Sequence, residues 1–104
     1  SNSDRLTLEV ARMLREDFLM QNAFDPGDAY MAIKIQYGLL KSILTFYNEG
    51  MKVVGAEDFD FVKFKQMSSY KEIGFLKEKK DEKDYVAFIE KVKLEISTLA
   101  QTNA

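Results

Sequence analysis

The chain has 104 residues, 46% of them hydrophobic, with 8 Phe, 5 Tyr and a formal net charge of −2. That is enough apolar material for one small core, and the charge balance gives no reason to expect nucleic-acid or anionic-membrane binding. Cysteine and histidine are both absent, which excludes disulfides and thiolate chemistry and removes the commonest general base and metal ligand.

A single Pro and 5 Gly leave little punctuation and favour long helices over a many-turned β fold. No apolar run approaches the ~20 residues of a membrane span, and no signal-peptide pattern opens the chain. Residues 1–3 read as a vector scar or linker ahead of a single helical domain over 4–104. A chain that enters a helix at once reads as a piece cut from a longer one. The fold class expected is all-α, an irregular bundle of four to five helices around a long central helix.

Helix one is expected over Asp4–Gln21, capped by Ser3 or Asp4. Leu6, Val10, Met13, Leu14 and Phe18 recur at steps of three and four and share one face. Arg5–Glu9, Arg12–Glu16 and Glu9–Arg12 have the spacing of helical ion pairs and read as solvated surface pairs. Gln21–Phe24 carries the chain out of this helix. Asp25 is a good N-cap, Pro26 suits the first helical position, and Asp28 sets a carboxylate near the positive helix start.

Helix two is expected from Pro26 to about Val54, ending before Gly55 rather than at Gly50. Tyr30, Ile33, Tyr37, Leu40, Leu44 and Tyr47 form one stripe. Ala32, Ile35, Leu39, Ile43 and Phe46 form a second, so this helix is read as central and packed on more than one neighbour. Gly38, costly in a helix interior, marks a close crossing.

Asp58–Phe61 alternates like a strand, but one short strand has no partner, so a helix is expected over Phe59–Met67. Ser69-Tyr70-Lys71-Glu72 has the capping-box spacing and predicts a helix from Tyr70 to Lys79. Lys77–Asp84 mixes both charges and reads as a solvated linker. A last helix over Glu82–Leu99 carries Tyr85, Phe88, Ile89, Val92, Ile96 and Leu99 on one stripe and is expected to pack across helix two.

The residues hold no chemistry of their own. There is no GxxxxGK[ST] phosphate loop. Glu16 and Asp17 point about 100° apart on a helix and cannot share a site. No acidic cluster has metal-ligand spacing, and Ser68 and Ser69 have no His to activate them.

The run LTLEVARMLREDFLMQNAFDPGDAY, residues 6–30, resembles the C-terminal part of the catalytic A (alpha) subunit of V-type, also called A-type, ATP synthases. It is more weakly similar to the beta subunit of F-type enzymes. Lys41–Tyr47 continues the resemblance and Gly55–Phe59 extends it more loosely; it fades after Gly55. The resemblance implies a helical domain of an enzyme whose phosphate loop, water-positioning glutamate and magnesium site lie in an upstream nucleotide domain. The domain would close on bound ATP or ADP and couple ATP synthesis or hydrolysis to central-stalk rotation and proton or sodium transport.

The implied partners are the nucleotide-binding domain of the same subunit, the B subunits of the catalytic hexamer and the central-stalk rotor. No nucleic acid and no direct membrane insertion are implied, and the location would be peripheral, on the cytoplasmic side of a membrane complex. Ala23-Phe24 matches the family position where an aromatic ring lies against adenine, with Tyr30 as the second candidate. Read from the residues alone, Phe24 is a staple before an N-cap, joining helix one to helix two. Asp4 and Arg5 fall near the family's stalk-facing edge and equally suit a helix start. The alternative to the family reading is a free-standing helical interaction module, dimeric through the last helix.

Overall fold

The computed structural model describes residues 1–19 and 29–101. Helix α1 spans Asn2–Met13, and a π-helical turn, Leu14–Phe18, continues it. Helix α2 runs Ala29–Gly50, α3 Phe61–Gln66, α4 Ser68–Glu72, a 3-10 turn Ile73–Glu78, and α5 Glu82–Gln101. Among the described residues there is no strand, and the all-α expectation holds.

The 22 residues of α2 make a rod about 33 Å long at 1.5 Å per residue. Its inner face, with Ala32, Leu39, Ile43 and Phe46 buried, is the middle of the core. Phe46 is fully enclosed, with its ring centroid 6.1 Å from those of both Phe64 and Phe88. Ser42 and Thr45 share that buried face, and each satisfies its hydroxyl on the carbonyl four residues back, Gly38 and Lys41, at 2.7 Å.

Two glycines set how closely neighbours approach. At Gly38 a Cβ would stand 2.7 Å from the Tyr85 ring, so α5 crosses α2 there, as read from the sequence. At Gly50 it would stand 2.7 Å from a Leu6 methyl, so the start of α1 lies on the end of α2, as in an antiparallel hairpin. By contrast α5 runs in the same direction as α2. Lys34 meets Glu82, Gly38 meets Tyr85 and Phe46 meets Phe88, so contacts advance together along both helices. Segments α3, α4 and the 3-10 turn carry the chain back between them. Tyr85, Phe88, Ile89, Val92 and Ile96 are buried as their stripe predicts.

Several expected boundaries change. Helix α1 starts at Asn2, not Asp4, because Ser1 supplies the cap: the Asp4 N–H donates to Ser1 Oγ at 3.3 Å. Helix α2 ends at Gly50, not Val54, and hydrogen-bonded turns follow it. Helix α3 is shorter than 59–67; Asp60 caps it, accepting the Val62 N–H at 2.9 Å. Its Phe61 and Phe64 are buried and clustered with Phe59.

The capping box at Ser69 does not form. Ser69 is the second residue of α4, its Oγ is buried with no hydrogen-bond partner among the described residues, and its N–H donates to Glu95 of α5 at 2.8 Å. A distant carboxylate has taken the local role. The helix expected over 70–79 is accordingly split into α4 and the 3-10 turn. The charged run is exposed between Lys79 and Asp84, where Asp81 accepts the Lys83 N–H at the start of α5. Asp25, Pro26 and Asp28 lie outside the described residues.

Candidate functional site

Ala23 and Phe24, the expected adenine contacts, lie outside the described residues. The second aromatic candidate, Tyr30, is 69% exposed near the start of α2, with Lys34 Nζ 4.8 Å from its ring centroid. Asp4 is exposed on α1, whereas Arg5 lays its guanidinium over the Phe61 ring at 4.3 Å. The structure therefore divides this pair: Asp4 stays within its own helix start, 3.8 Å from the N-terminal ammonium, and Arg5 reaches another element.

Polar chemistry concentrates where α1 meets α4. Arg12 donates to Glu9 Oε2 through Nε at 3.2 Å and to Glu16 Oε2 through Nη1 at 3.0 Å. Its Nη2 reaches both Glu9 Oε2 and the Tyr70 hydroxyl, which itself donates to Glu9. These are not simply solvated surface pairs: Tyr70 ties the Glu9–Arg12 pair to another element, and Glu9 is 20% exposed. The Arg5–Glu9 pairing gives way to Arg5 over Phe61, where the guanidinium gains a ring face.

Burial by itself raises the Glu9 carboxyl, but hydrogen bonds from Tyr70 and Arg12, with the charges of Arg12 and Lys65, hold it below the usual carboxylate range. The same burial and the Glu9 contact push the Tyr70 phenol up. Arg12 is loaded on three sides by protein acceptors, so it is a bracket between elements rather than an open anion receptor.

The π-helical turn holds Asp17 half-buried, facing Gly74 and in the field of Lys77. Burial raises its carboxyl; Arg12 and Lys77 oppose that rise and Glu16 adds to it. Leu14 and Phe18 of the same turn pack on the core edge. Among the described residues no group of three or more His, Cys, Asp or Glu could hold a metal ion.

The remaining feature is the outer face of α2. Tyr30, Ile33 and Tyr37 are 64–69% exposed and Leu44 is 39% exposed. This stripe was expected to pack on a second neighbour. Instead Tyr30, Ile33, Tyr37 and Leu44 face solvent, while Leu40 is half-buried and Tyr47 packs against the core. Between this stripe and α5 runs a groove of ≈ 380 Å³, lined by Leu40, Leu44 and Ile89 with Lys41 and Lys93 at its sides. Sequence reading missed Tyr70 and Glu95 as ties, since each acts across a long sequence separation. The exposed face carried a readable signal: α2 has no acidic residue from Ala29 to Asn48.

Comparison with known proteins follows the same N-terminal stretch. The family model described as the C-terminal domain of V and A type ATP synthase matches residues 1–63. The V-type ATP synthase alpha chain of Thermoanaerobacter sp. (strain X514) is 54% identical over 54 residues, 52% of this chain and 9% of that protein. The alpha chain of Acetivibrio thermocellus is 54% identical over 56 residues, 54% of this chain and 10% of its own length. That of Clostridium botulinum (strain Langeland) is 50% identical over the same span, again 10% of its length. The matched stretch is therefore about a tenth of these relatives. No solved structure matches the chain.

Proposed function

The chain belongs to the family of the C-terminal domain of V and A type ATP synthase, and from that premise we propose that it works as the closing domain of a catalytic alpha subunit. In this reading it moves against the nucleotide-binding domain of the same subunit as ATP or ADP binds. It passes that motion to the central-stalk rotor beside the B subunits, and so couples ATP synthesis or hydrolysis to proton or sodium transport. The observation that carries the reading is the family match over residues 1–63. The architecture supports it: α1 and α2 are cross-braced through Leu6–Gly50 and the core around Phe46, as a body that transmits force must be. Such a subunit is a peripheral part of a membrane complex, and no helix among the described residues is long and apolar enough to cross a membrane.

Within this reading Ala23 and Phe24 form the adenine contact, with the Phe24 ring stacking on the base, while magnesium and the phosphates are held elsewhere in the subunit. Phe24→Ala in the full subunit is expected to weaken nucleotide binding about fivefold, near the ~1 kcal/mol low end for loss of a stacked base. A fluorescence titration with ADP reads this, and unchanged affinity removes the adenine contact. The domain reading itself is tested by immunoblot of fractionated host cells. A band several-fold heavier than this chain, in the membrane fraction and released by washes that strip peripheral proteins, supports it. A soluble band at the chain's own mass overturns it.

A further inference from the structure

We propose that the groove between α2 and α5 is the seat of an acidic amphipathic helix from another polypeptide. Tyr37 and Leu44 on α2, and Ile89 and Lys93 on α5, advance along two helices that run side by side in the same direction. Two such rows leave a furrow that accepts the side-chain ridge of a third helix. Its floor is apolar, and its ≈ 380 Å³ suits the apolar anchors that a groove-bound helix presents at i, i+3, i+4 and i+7.

Charge selects the occupant. Lys41 makes no ion pair among the described residues; its ammonium rests 6.0 Å from the Tyr37 ring centroid. Lys93 stands across the groove, 48% exposed, at 3.8 Å from Glu90 of its own helix. The one acid lining the groove, Glu49, is turned to Lys52 at 3.2 Å. A partner helix with carboxylates flanking its apolar stripe would meet Lys41 on one side and Lys93 on the other. A second copy of this chain would instead set one lysine-bearing face, its one lining acid Glu49 already paired with Lys52, against another, which is repulsive. The proposal rests on this surface alone and holds whether or not the domain closes on a nucleotide site.

The test uses the full 104-residue chain, 15N-labelled, titrated with a synthetic helix of about four turns carrying a leucine stripe flanked by glutamates. A twin with lysines in place of the glutamates is the control. The acidic helix is expected to saturate, shifting the amides of Tyr37, Lys41, Leu44 and Lys93, and to bind more weakly as salt rises. Lys41→Glu is expected to weaken it about fivefold, one exposed attraction exchanged for a repulsion, and to strengthen the lysine twin. The proposal is overturned if both helices bind equally to wild type, if the shifts map elsewhere, or if Lys41→Glu changes neither. It is also overturned if sedimentation shows the face consumed by self-association, or if anionic vesicles shift these amides and the acidic helix does not.

Discussion

Gly38 lies directly under the Tyr85 ring: a Cβ at Gly38 would come within 2.7 Å of its Cγ and 3.0 Å of its Cβ. Those atoms are the root of the side chain and cannot swing aside. Gly38→Ala therefore gains about 1 kcal/mol of helix propensity but meets an overpacking penalty of ~1–3 kcal/mol or more, and a net loss of stability is expected. Gly50→Ala meets only the branched end of Leu6, at 2.7 and 3.0 Å, and should cost less. Urea midpoints of the two variants check this, and equal midpoints would remove Gly38 as the tight crossing.

Tyr85 should also govern alkaline unfolding. Its hydroxyl donates toward the Lys79 carbonyl at 2.9 Å and lies 3.1 Å from that of Leu76. Burial, helped by the nearby Asp84 charge, pushes the phenol up to about 12 from its ordinary 10.0. The unfolded chain then gives up this proton first, so stability falls as pH rises through that window, by roughly 3 kcal/mol at most. In Tyr85→Phe that slope should shrink to the part left by the raised Tyr70 phenol, while the neutral-pH stability drops. Thermal melts from pH 9 upward would show it.

Ser69 and Glu95 give a test with opposite signs. If Ser69 capped its own helix, Ser69→Ala would cost ~1 kcal/mol. With its Oγ buried and unpaired, Ser69→Ala is instead expected to be neutral or stabilising, by up to ~1 kcal/mol. Glu95→Ala should lose ~1–3 kcal/mol, because the Ser69 N–H is left without its carboxylate. Hydrogen exchange at the Ser69 amide should quicken in the second variant only.

Acid should loosen the bracket between α1 and α4. Glu9 is held below its usual value chiefly against burial, by Tyr70 and Arg12; Glu72 is lowered by its hydrogen bond to Lys91. Both contribute stability that is present above the unfolded value near 4.5 and is lost as pH falls through the lower folded value. Asp17 acts the other way: burial raises its carboxyl, so ionising it at higher pH opposes folding. Tyr70→Phe is expected to cost about 1–3 kcal/mol at pH 7 and to flatten the acid limb. Asp17→Asn should raise stability at neutral pH. Chemical denaturation from pH 3 to 7 separates the two.

Much of this fold was written locally. The stripe from Tyr85 to Leu99 and the inner stripe of α2 specify their buried faces by period alone, and Gly38 announced a crossing because nothing else explains a glycine there. What stayed hidden was decided by partners distant in sequence. The end of α2 at Gly50 goes with the seating of Leu6 from α1. The failed capping box depends on Glu95, and the Glu9–Arg12 pair gained Tyr70 from α4. The adenine contact was legible only through family resemblance, since Phe24 before Asp25 reads as a staple on its own residues. The outer stripe of α2 was legible as apolar, but periodicity says only that a face is hydrophobic and not which neighbour covers it.

The enclosure of Phe46 has a bearing on how the chain can be divided. Phe46 belongs to the stretch shared with known alpha chains, yet two of its ring neighbours, Phe64 and Phe88, come after that stretch ends. Trimmed at residue 63, the recognisable part would open its central aromatic to water. The segment that similarity picks out is thus half of a wall. Whatever motion the first two helices carry, they can carry it only with the unmatched helices moving as part of the same piece.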